Sequence, residues 1–227
     1  MISHSALIVA AGKGVRMGPQ TDKLFLSVAG RPVVAHTWER FDRAACIHEI
    51  VLVIREGLQP LFTEMAEKIG LTKPYRLVVG GKERQDSVWN GLQALAPSSQ
   101  IVAIQDAARP CTGVDLIAAT IAAATKFGAA VAAQPVSDTI KKSLDGATIA
   151  GHLHRAELWA VQTPQTFRVE IIRRALAKVR EQGAQVTDDT AACELIGQAV
   201  TLVPSAIPNP KVTVPADLPY VELLLKS

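Results

Sequence analysis

Short runs of aliphatic residues alternate along the chain with longer segments in which apolar residues recur every three or four positions. The short runs predict buried strands, and the longer spacing predicts amphipathic helices. Pro32 stands where the first helical turn would begin. The predicted strands cover residues 7–10, 49–54, 75–79, 101–104 and 129–133, and later helices cover 61–69, a segment through 88–95, and 114–127. This alternation predicts an α/β fold with helices on both faces of a mostly parallel sheet.

The alternation breaks after Pro135, where two alternating runs flank the pair Asp145-Gly146. Asp-Gly between such runs is a strong hairpin signal, so residues 139–144 and 147–154 are predicted to pair. We expect residues 137–156 to project as a β-arm from a single domain over residues 1–227. Beyond the arm, the pattern predicts strands at 159–162, 199–203 and 211–214, and helices at 169–182, 188–196 and 216–225.

The composition excludes several classes of protein. With 48% hydrophobic and 20% charged residues among 227, the chain is too apolar for a disordered protein. A net charge of +3 is a small basic excess for a nucleic-acid binder, and 4% aromatic residues leave few side chains to stack on bases. No apolar run approaches the roughly 18 residues that a membrane helix needs. We therefore expect neither nucleic acid nor membrane as a partner.

The cysteines and the N-terminus bear on the compartment. Cys46, Cys111 and Cys193 include no close pair, which fits neither a disulfide framework nor a zinc cluster. The N-terminus has no basic segment and no cleavage-like end to its short apolar run, so we expect no signal peptide. These features predict a protein of the reducing cytoplasm.

The loop after the first predicted strand carries the clearest candidate chemistry, A-A-G-K-G-V-R-M-G over residues 10–18. Ligands of open parallel sheets bind outside the carboxyl ends of the strands, where this loop lies. Gly12 and Gly14 would let the backbone turn N–H groups toward an anion. Lys13, Arg16 and Lys23 add positive charge, which predicts a phosphate cradle. A glycine turn with solvated basic residues explains the same pattern.

Two common phosphate-binding loops do not fit this segment. A dinucleotide-binding G-x-G-x-x-G loop would place glycine where Met17 stands, and an acid at the end of the second strand, where Arg55 stands. A Walker loop would end in Gly-Lys followed by Ser or Thr, which the segment lacks. A nicotinamide-dependent oxidoreductase is therefore disfavoured.

Several motifs, in one order, resemble those of the 2-C-methyl-D-erythritol 4-phosphate cytidylyltransferase family. The resemblance covers residues 6 to 225, nearly the whole chain. Its motifs are A-A-G-x-G-x-R-M at 10–17 followed by Lys23, G-G-K-E-R-Q-D-S-V at 80–88, D-A-A-R-P at 106–110, V-S-D-T-I-K at 136–141, W-A-V-Q-T-P-Q at 159–165, and K-V-T at 211–213. It implies a three-layer, Rossmann-like nucleotidyltransferase fold with a mixed, mainly parallel sheet.

The implied reaction is attack of a sugar-alcohol phosphate on the α-phosphorus of CTP, with release of pyrophosphate and with Mg²⁺ as cofactor. A phosphate nucleophile is already ionised at neutral pH and needs no general base. Catalysis then depends on aligning two polyanions and stabilising charge. Accordingly, no nucleophile–base pair stands out in the sequence, whereas arginines and lysines do.

On the nucleotide side, the resemblance assigns Arg16 and Lys23 to transition-state stabilisation at the α-phosphate. The family's backbone contacts to the nucleotide fall on Ala10, Ala11 and Gly12, and its contacts to cytosine and ribose fall on Gly81 and Ser87. For Ser87, a role as a helix N-cap explains the sequence almost as well as nucleotide binding does.

On the acceptor side, the resemblance assigns Arg155 and Lys211 to positioning the acceptor phosphate. Asp106 would meet the acceptor hydroxyls or the metal region, and Arg109 would support the acceptor side. An Asp–Arg ion pair that shapes the loop is the alternative, but two charged residues at the carboxyl end of a strand favour a functional role. Thr139 and Thr163 would hydrogen-bond the acceptor, although threonine also suits a strand. No metal ligand is named.

The predicted arm bears on the oligomeric state of the protein. An isolated hairpin is marginally stable in water, so the arm is expected to pack on something. The resemblance implies packing across a two-fold axis as a homodimer, with Thr139 and Arg155 in the neighbour's active site.

The sequence also departs from the family pattern. Asp22 replaces the proline that often precedes the loop lysine, and Gln105 replaces the histidine before D-A-A-R-P. The segment before Lys211, I-P-N-P, lacks the acid of the family's D-N-x-K. That absence leaves open a cytidylyltransferase for another polyol phosphate, such as ribitol 5-phosphate. A non-catalytic nucleotide-binding homologue is disfavoured by the basic residues that are retained.

Overall fold

A computed structural model describes residues 3–12 and 22–226. Its strands are β1 (Ser3–Val9), β2 (Ser27–Val28), β3 (Arg31–Pro32), β4 (Glu49–Ile54), β5 (Tyr75–Val79), β6 (Ser99–Asp106), β7 (Ala129–Pro135), β8 (Lys141–Lys142), β9 (Gly151–His152), β10 (Trp159–Arg168) and β11 (Thr201–Pro204). The helices are α1 (Val33–Arg43), α2 (Gln59–Ile69), α3 (Arg84–Gln93), α4 (Val114–Phe127), α5 (Val169–Gln182), α6 (Asp189–Glu194) and α7 (Leu218–Lys226).

The central sheet has seven strands in the order β11-β7-β10-β6-β1-β4-β5. β10 is antiparallel to both of its neighbours, and every other pairing in this sheet is parallel. The carboxyl ends of the six parallel strands therefore share one edge. The predicted mixed, mainly parallel sheet is confirmed.

Apolar side chains form a core on each face of the sheet. Along β1 the side chains alternate, so that Ala6 and Ile8 face one core and Leu7 faces the other. The first core contains Trp38 and Phe41 of α1 together with side chains of α2, α4 and α7. The second contains side chains of α3, α5 and α6. The expected three-layer architecture is therefore present.

Most predicted elements occur close to their predicted bounds, but two expectations are wrong. Residues 211–214 form no strand; a single backbone bond from Val212 N–H to the Ala108 carbonyl, at 2.8 Å, ties this segment to the loop after β6. β10 extends well beyond residue 162, because the sheet tolerates Pro164 at a register shift between Val161 and Gln165.

The predicted β-arm is a small two-stranded sheet of its own. Lys141 pairs with His152 and Lys142 with Gly151, so its strands are much shorter than expected. Asp145 organises the tip by accepting hydrogen bonds from the backbone of Ala147 and Thr148. Apolar side chains of the arm are exposed to solvent in the single chain: Leu144, Ile149 and Leu153.

Among the described residues, no helix is both long enough and apolar enough to cross a membrane.

The core on both faces of the sheet predicts that truncating two phenylalanines lowers the free energy of unfolding by different amounts. Phe167 on β10 is fully buried, whereas Phe127 at the end of α4 is 52% exposed. We expect Phe167→Ala to lower the free energy of unfolding by about 3–5 kcal/mol, since it leaves a cavity. Phe127→Ala should change it by about 0.5 kcal/mol or less. Denaturant unfolding measures both, and equal effects would contradict this description of the core.

Candidate active site

The candidate site lies at the sheet edge where the parallel strands end. Ala10, Ala11 and Gly12 directly follow β1, the pair Gly80-Gly81 follows β5, and Asp106 is the last residue of β6. Backbone bonds hold the first two segments to β4: Ala10 N–H donates to the Val53 carbonyl at 2.7 Å, and Gly80 N–H donates to the Ile54 carbonyl at 2.8 Å. The structure thus brings together the segments assigned to the nucleotide.

Gly80 packs closely against two other segments of the site. A Cβ atom at this position would lie 2.4 Å from the Ala11 Cβ and 2.8 Å from the Ser87 Oγ. At Gly12, by contrast, an added Cβ would meet no atom of the described residues within 4 Å. Gly80 is therefore required for packing. The sequence analysis selected Gly81 and missed Gly80, although the G-G pair was visible.

Ser87 braces the loop between β5 and α3. Its buried hydroxyl accepts the Gly81 N–H at 3.1 Å and donates to the Glu83 carbonyl at 3.2 Å. The alternative role as a helix N-cap is wrong, because α3 begins at Arg84 and Glu83 occupies the cap position.

Asp106 is the centre of a charged cluster. Its Oδ2 lies 2.7 Å from the Lys211 Nζ and 3.8 Å from the Arg109 Nε, and its Oδ1 lies 3.6 Å from the Arg84 Nε. The Asp106–Arg109 ion pair foreseen in the sequence analysis is present, but Lys211 approaches Asp106 more closely. Three cations from separate segments thus converge on one carboxylate.

A second carboxylate supports this cluster from behind. Asp189, which is 1% exposed, accepts a hydrogen bond from the Arg84 Nη2 at 2.8 Å. Asp188 is the N-cap of α6 and accepts the Ala191 N–H. The sequence analysis selected neither Asp189 nor Arg84. The arginine of the G-G-x-x-R motif was the available signal.

The charged groups of the cluster shift the pKa values of Asp106 and Arg84. Burial disfavours an ionised Asp106, but Lys211, Arg84 and Arg109 outweigh burial and hold the pKa of its carboxyl below the usual range. Burial likewise opposes the charge of Arg84, yet Asp189 and Asp106 raise the pKa of its guanidinium above the ordinary value. Asp106 and Arg84 are therefore ionised at neutral pH, whereas burial raises the pKa of the Asp189 carboxyl despite its pairing with Arg84.

Thr163 and Asn209 hold the backbone around Asp106. The buried Thr163 hydroxyl accepts the Asp106 N–H at 3.1 Å, and the Thr163 carbonyl accepts from the Asn209 side chain at 2.8 Å. The Asn209 carbonyl in turn accepts from the Arg109 guanidinium at 2.6 Å. Asn209 was not selected from the sequence, because its partners are remote along the chain.

Lys23 reaches the same region from the loop that follows β1. Its ammonium group donates to the Val212 carbonyl at 2.9 Å, one residue beyond Lys211. The carboxylate of Asp22 pairs with Arg55 and also accepts the Leu24 N–H at 3.1 Å. Lys23 therefore contacts the residue next to Lys211.

Three selected residues are not placed in this cluster. Arg16 lies outside the described residues. Thr139 and Arg155 are exposed on the arm, and the Arg155 guanidinium donates to the Ser137 carbonyl at 2.9 Å.

Comparison with known proteins identifies the family. The family model of 2-C-methyl-D-erythritol 4-phosphate cytidylyltransferase matches residues 4–227. An enzyme of that name from Pelotomaculum thermopropionicum is 41% identical and covers 98% of this chain and 94% of its own. The crystal structure of 4-diphosphocytidyl-2C-methyl-D-erythritol synthase from Anaerococcus prevotii has a TM-score of 0.88 at 31% identity and covers 99% of this chain and 96% of its own. The chain belongs to the 2-C-methyl-D-erythritol 4-phosphate cytidylyltransferase family.

Membership of the cytidylyltransferase family confirms the predicted enzyme class and reaction. A namesake from Thermus thermophilus matches with a TM-score of 0.82 at 31% identity and covers 99% of this chain and all of its own. The oxidoreductase alternative is wrong. The family and the names of its members support CTP-dependent cytidylyl transfer in isoprenoid precursor synthesis over transfer to another polyol phosphate.

Alanine substitutions at two glycines of this cytidylyltransferase distinguish a role in packing from a role in ligand binding. Gly80→Ala should lower the free energy of unfolding by about 1–3 kcal/mol, because its new methyl group overlaps Ala11 and Ser87. Gly12→Ala should leave stability unchanged, because its methyl group meets no described atom, yet weaken CTP binding if the nucleotide approaches this backbone. Thermal unfolding and CTP titration measure the two effects. A stable Gly80→Ala protein would contradict the close approach.

Proposed function

We propose that the segments after β1 and β5 bind CTP, while the cluster around Asp106 receives 2-C-methyl-D-erythritol 4-phosphate. The observation that carries this assignment is the approach of Lys211 to Asp106 at 2.7 Å, beside the Lys23 contact with Val212. Lys23 comes from the loop assigned to the nucleotide, and Asp106 ends the strand assigned to the acceptor. The two lysines therefore mark the boundary between the substrates.

In this arrangement an oxygen of the acceptor phosphate attacks the α-phosphorus of CTP. A new P–O bond forms at that phosphorus, the bond to the β-phosphate oxygen breaks, and pyrophosphate leaves with the electron pair. Lys23 and Lys211 stabilise the charge on the reacting phosphates, and Arg16 is proposed to act with Lys23. Asp106 accepts hydrogen bonds from acceptor hydroxyls, and Arg109 supports it from the loop after β6.

Thr163 has a bracing role in this proposal. Its buried hydroxyl already accepts the Asp106 N–H and so holds the Asp106 backbone. Thr163 therefore acts on the acceptor chiefly by fixing Asp106. Ser87 acts on the nucleotide in the same indirect way, by holding the Gly81 backbone.

Mg²⁺ remains the proposed cofactor. The described part of the chain has no group of three or more His, Cys, Asp or Glu side chains that could hold a metal ion. Mg²⁺ commonly keeps several waters and binds substrate phosphates rather than an all-protein cage. We therefore assign it to the phosphates of CTP, where it would neutralise charge, and name no protein ligand.

Release of pyrophosphate tests the proposed substrates. The protein is incubated with Mg²⁺ and each of the four NTPs, crossed against 2-C-methyl-D-erythritol 4-phosphate, ribitol 5-phosphate and related polyol phosphates. We expect turnover with CTP and 2-C-methyl-D-erythritol 4-phosphate, because the two sets of residues fit a nucleotide and an acceptor phosphate. Omission of each substrate is the control. Turnover with another acceptor alone would overturn the substrate assignment.

We also propose a homodimer in which the arm reaches into the neighbouring site. The arm pairs only with itself in the strand ladders of the described residues. Its side chains Leu144 and Ile149, in the segment that connects β8 to β9, are 81% and 64% exposed and form an apolar surface at the tip of the arm. A second chain would cover them and would receive Thr139 and Arg155.

We also propose that the protein works in a reducing cytoplasm, since the three cysteines are free thiols.

Mixed dimers test the shared site. Lys23→Ala should lower kcat by about 100-fold, because charge stabilisation at the phosphates is lost, and Arg155→Ala is expected to be similarly impaired. When the two variants exchange subunits at random, about half of the dimers are mixed, and a mixed dimer holds one site with both defects and one with neither. About a quarter of wild-type activity should return. No recovery after verified exchange would show that the arm serves its own chain.

A further inference from the structure

Arg84 connects two carboxylates that belong to different elements. It is the first residue of α3, and its guanidinium lies 2.8 Å from Asp189 on α6 and 3.6 Å from Asp106 at the end of β6. Its side chain is 29% exposed, whereas that of Asp189 is 1% exposed. Arg84 is thus held from the buried side and faces Asp106 with its remaining N–H groups.

The backbone of Asp189 is itself fixed. Its N–H donates to the Gln165 Oε1 at 3.0 Å, and the Gln165 Nε2 donates to Asp188 at 2.9 Å. Gln165 lies on β10, which pairs with β6. The anchor of Arg84 is therefore built into the same sheet that carries Asp106, which gives the guanidinium little freedom to turn away.

The two oxygens of Asp106 have different partners. Oδ1 faces Arg84, and Oδ2 faces Lys211 and Arg109. A buried carboxylate that loses its partners is strongly disfavoured. Because Arg84 stays with Oδ1, Asp106 remains compensated when Lys211 turns from Oδ2 to a phosphate oxygen of the substrate.

We propose that Arg84, anchored by Asp189, is a positioning residue that holds the Asp106 carboxylate and so lets Lys211 exchange Asp106 for substrate phosphate. This inference rests on the proposed function, which places Asp106 and Lys211 at the acceptor. The five charged groups Arg84, Arg109, Lys211, Asp106 and Asp189 carry a net charge of +1. Loss of Arg84 alone would make them neutral and leave Asp189 buried without its partner.

The test compares wild-type protein with Arg84→Gln, Arg84→Lys and the double variant Arg84→Gln/Asp189→Asn. The double variant removes the charge of Arg84 together with that of the buried Asp189, so no unpaired buried carboxylate opposes its folding. Arg168→Gln is the matched control, because it removes an arginine at the far end of β10 that donates to the Thr125 carbonyl. Melting temperature, KM for each substrate, kcat and the acid limb of kcat/KM are measured for every protein.

We expect the KM for 2-C-methyl-D-erythritol 4-phosphate to rise about tenfold in the double variant, while the KM for CTP stays within about twofold. The groups that face Asp106 are Lys211, Arg84, Arg109 and, at longer range, Asp189. Loss of Arg84, a cation that lowers the Asp106 pKa, should raise that pKa, and the accompanying loss of the more distant Asp189 charge offsets only part of the rise. The acid limb should move to higher pH accordingly. Arg84→Lys should restore part of both effects, and Arg168→Gln should show neither.

A carbon-13 titration of the Asp106 carboxyl, assigned from Asp106→Asn, gives a readout that does not require turnover. A higher titration midpoint in the double variant supports the inference even if the wild-type protein fails to release pyrophosphate, in which case only the proposed substrates fail. If the wild-type protein turns over and the folded double variant keeps the Asp106 midpoint and the acceptor KM, the inference is overturned. Equal losses for both substrates without a shifted acid limb would also overturn it.

Discussion

The site depends on the compensation of one buried carboxylate, that of Asp106. A carboxylate taken out of water is disfavoured unless cations and hydrogen bonds replace its hydration. Here the replacements come from α3, from the loop after β6 and from the segment before α7. These three segments are far apart in the chain, so the cluster forms only when the whole sheet has assembled. Charge and fold are therefore coupled at this position.

The reversed strand β10 explains why the cluster can form at this edge. Every other strand of the central sheet ends there, whereas β10 starts there and passes between β6 and β7. Its register shift turns Thr163 out of the ladder with β7 and toward the Asp106 backbone. Gln165, on the same strand, fixes the start of α6 and with it Asp189. One irregular strand thus connects both carboxylates of the cluster to the sheet.

Local pattern predicted most of the fold and part of the site. The bounds of α4, α5, β4 and β5 follow directly from apolar spacing, because each buries a regular face. Residues 211–214 imitate a strand by their alternating side chains, yet they join no strand ladder and are held by one backbone bond to Ala108 and by side-chain contacts with Lys23, Asp106 and Asp217. Asp106 and Lys211 were selected through the family resemblance. Arg84 and Asp189 were missed as a pair, because 105 positions separate them and no local spacing indicates their contact.

The resting contacts of the two lysines suit a reaction between two polyanions. Lys23 donates to a backbone carbonyl, and Lys211 pairs with Asp106, so both ammonium groups are oriented before any phosphate arrives. Orientation in advance reduces the reorganisation that stabilising a transition state would otherwise require. A phosphate carries more negative charge than either resting partner and can displace both. Because Asp106 keeps Arg84 and Arg109 after that displacement, the site can transfer its positive charge to the substrates without leaving a buried carboxylate uncompensated.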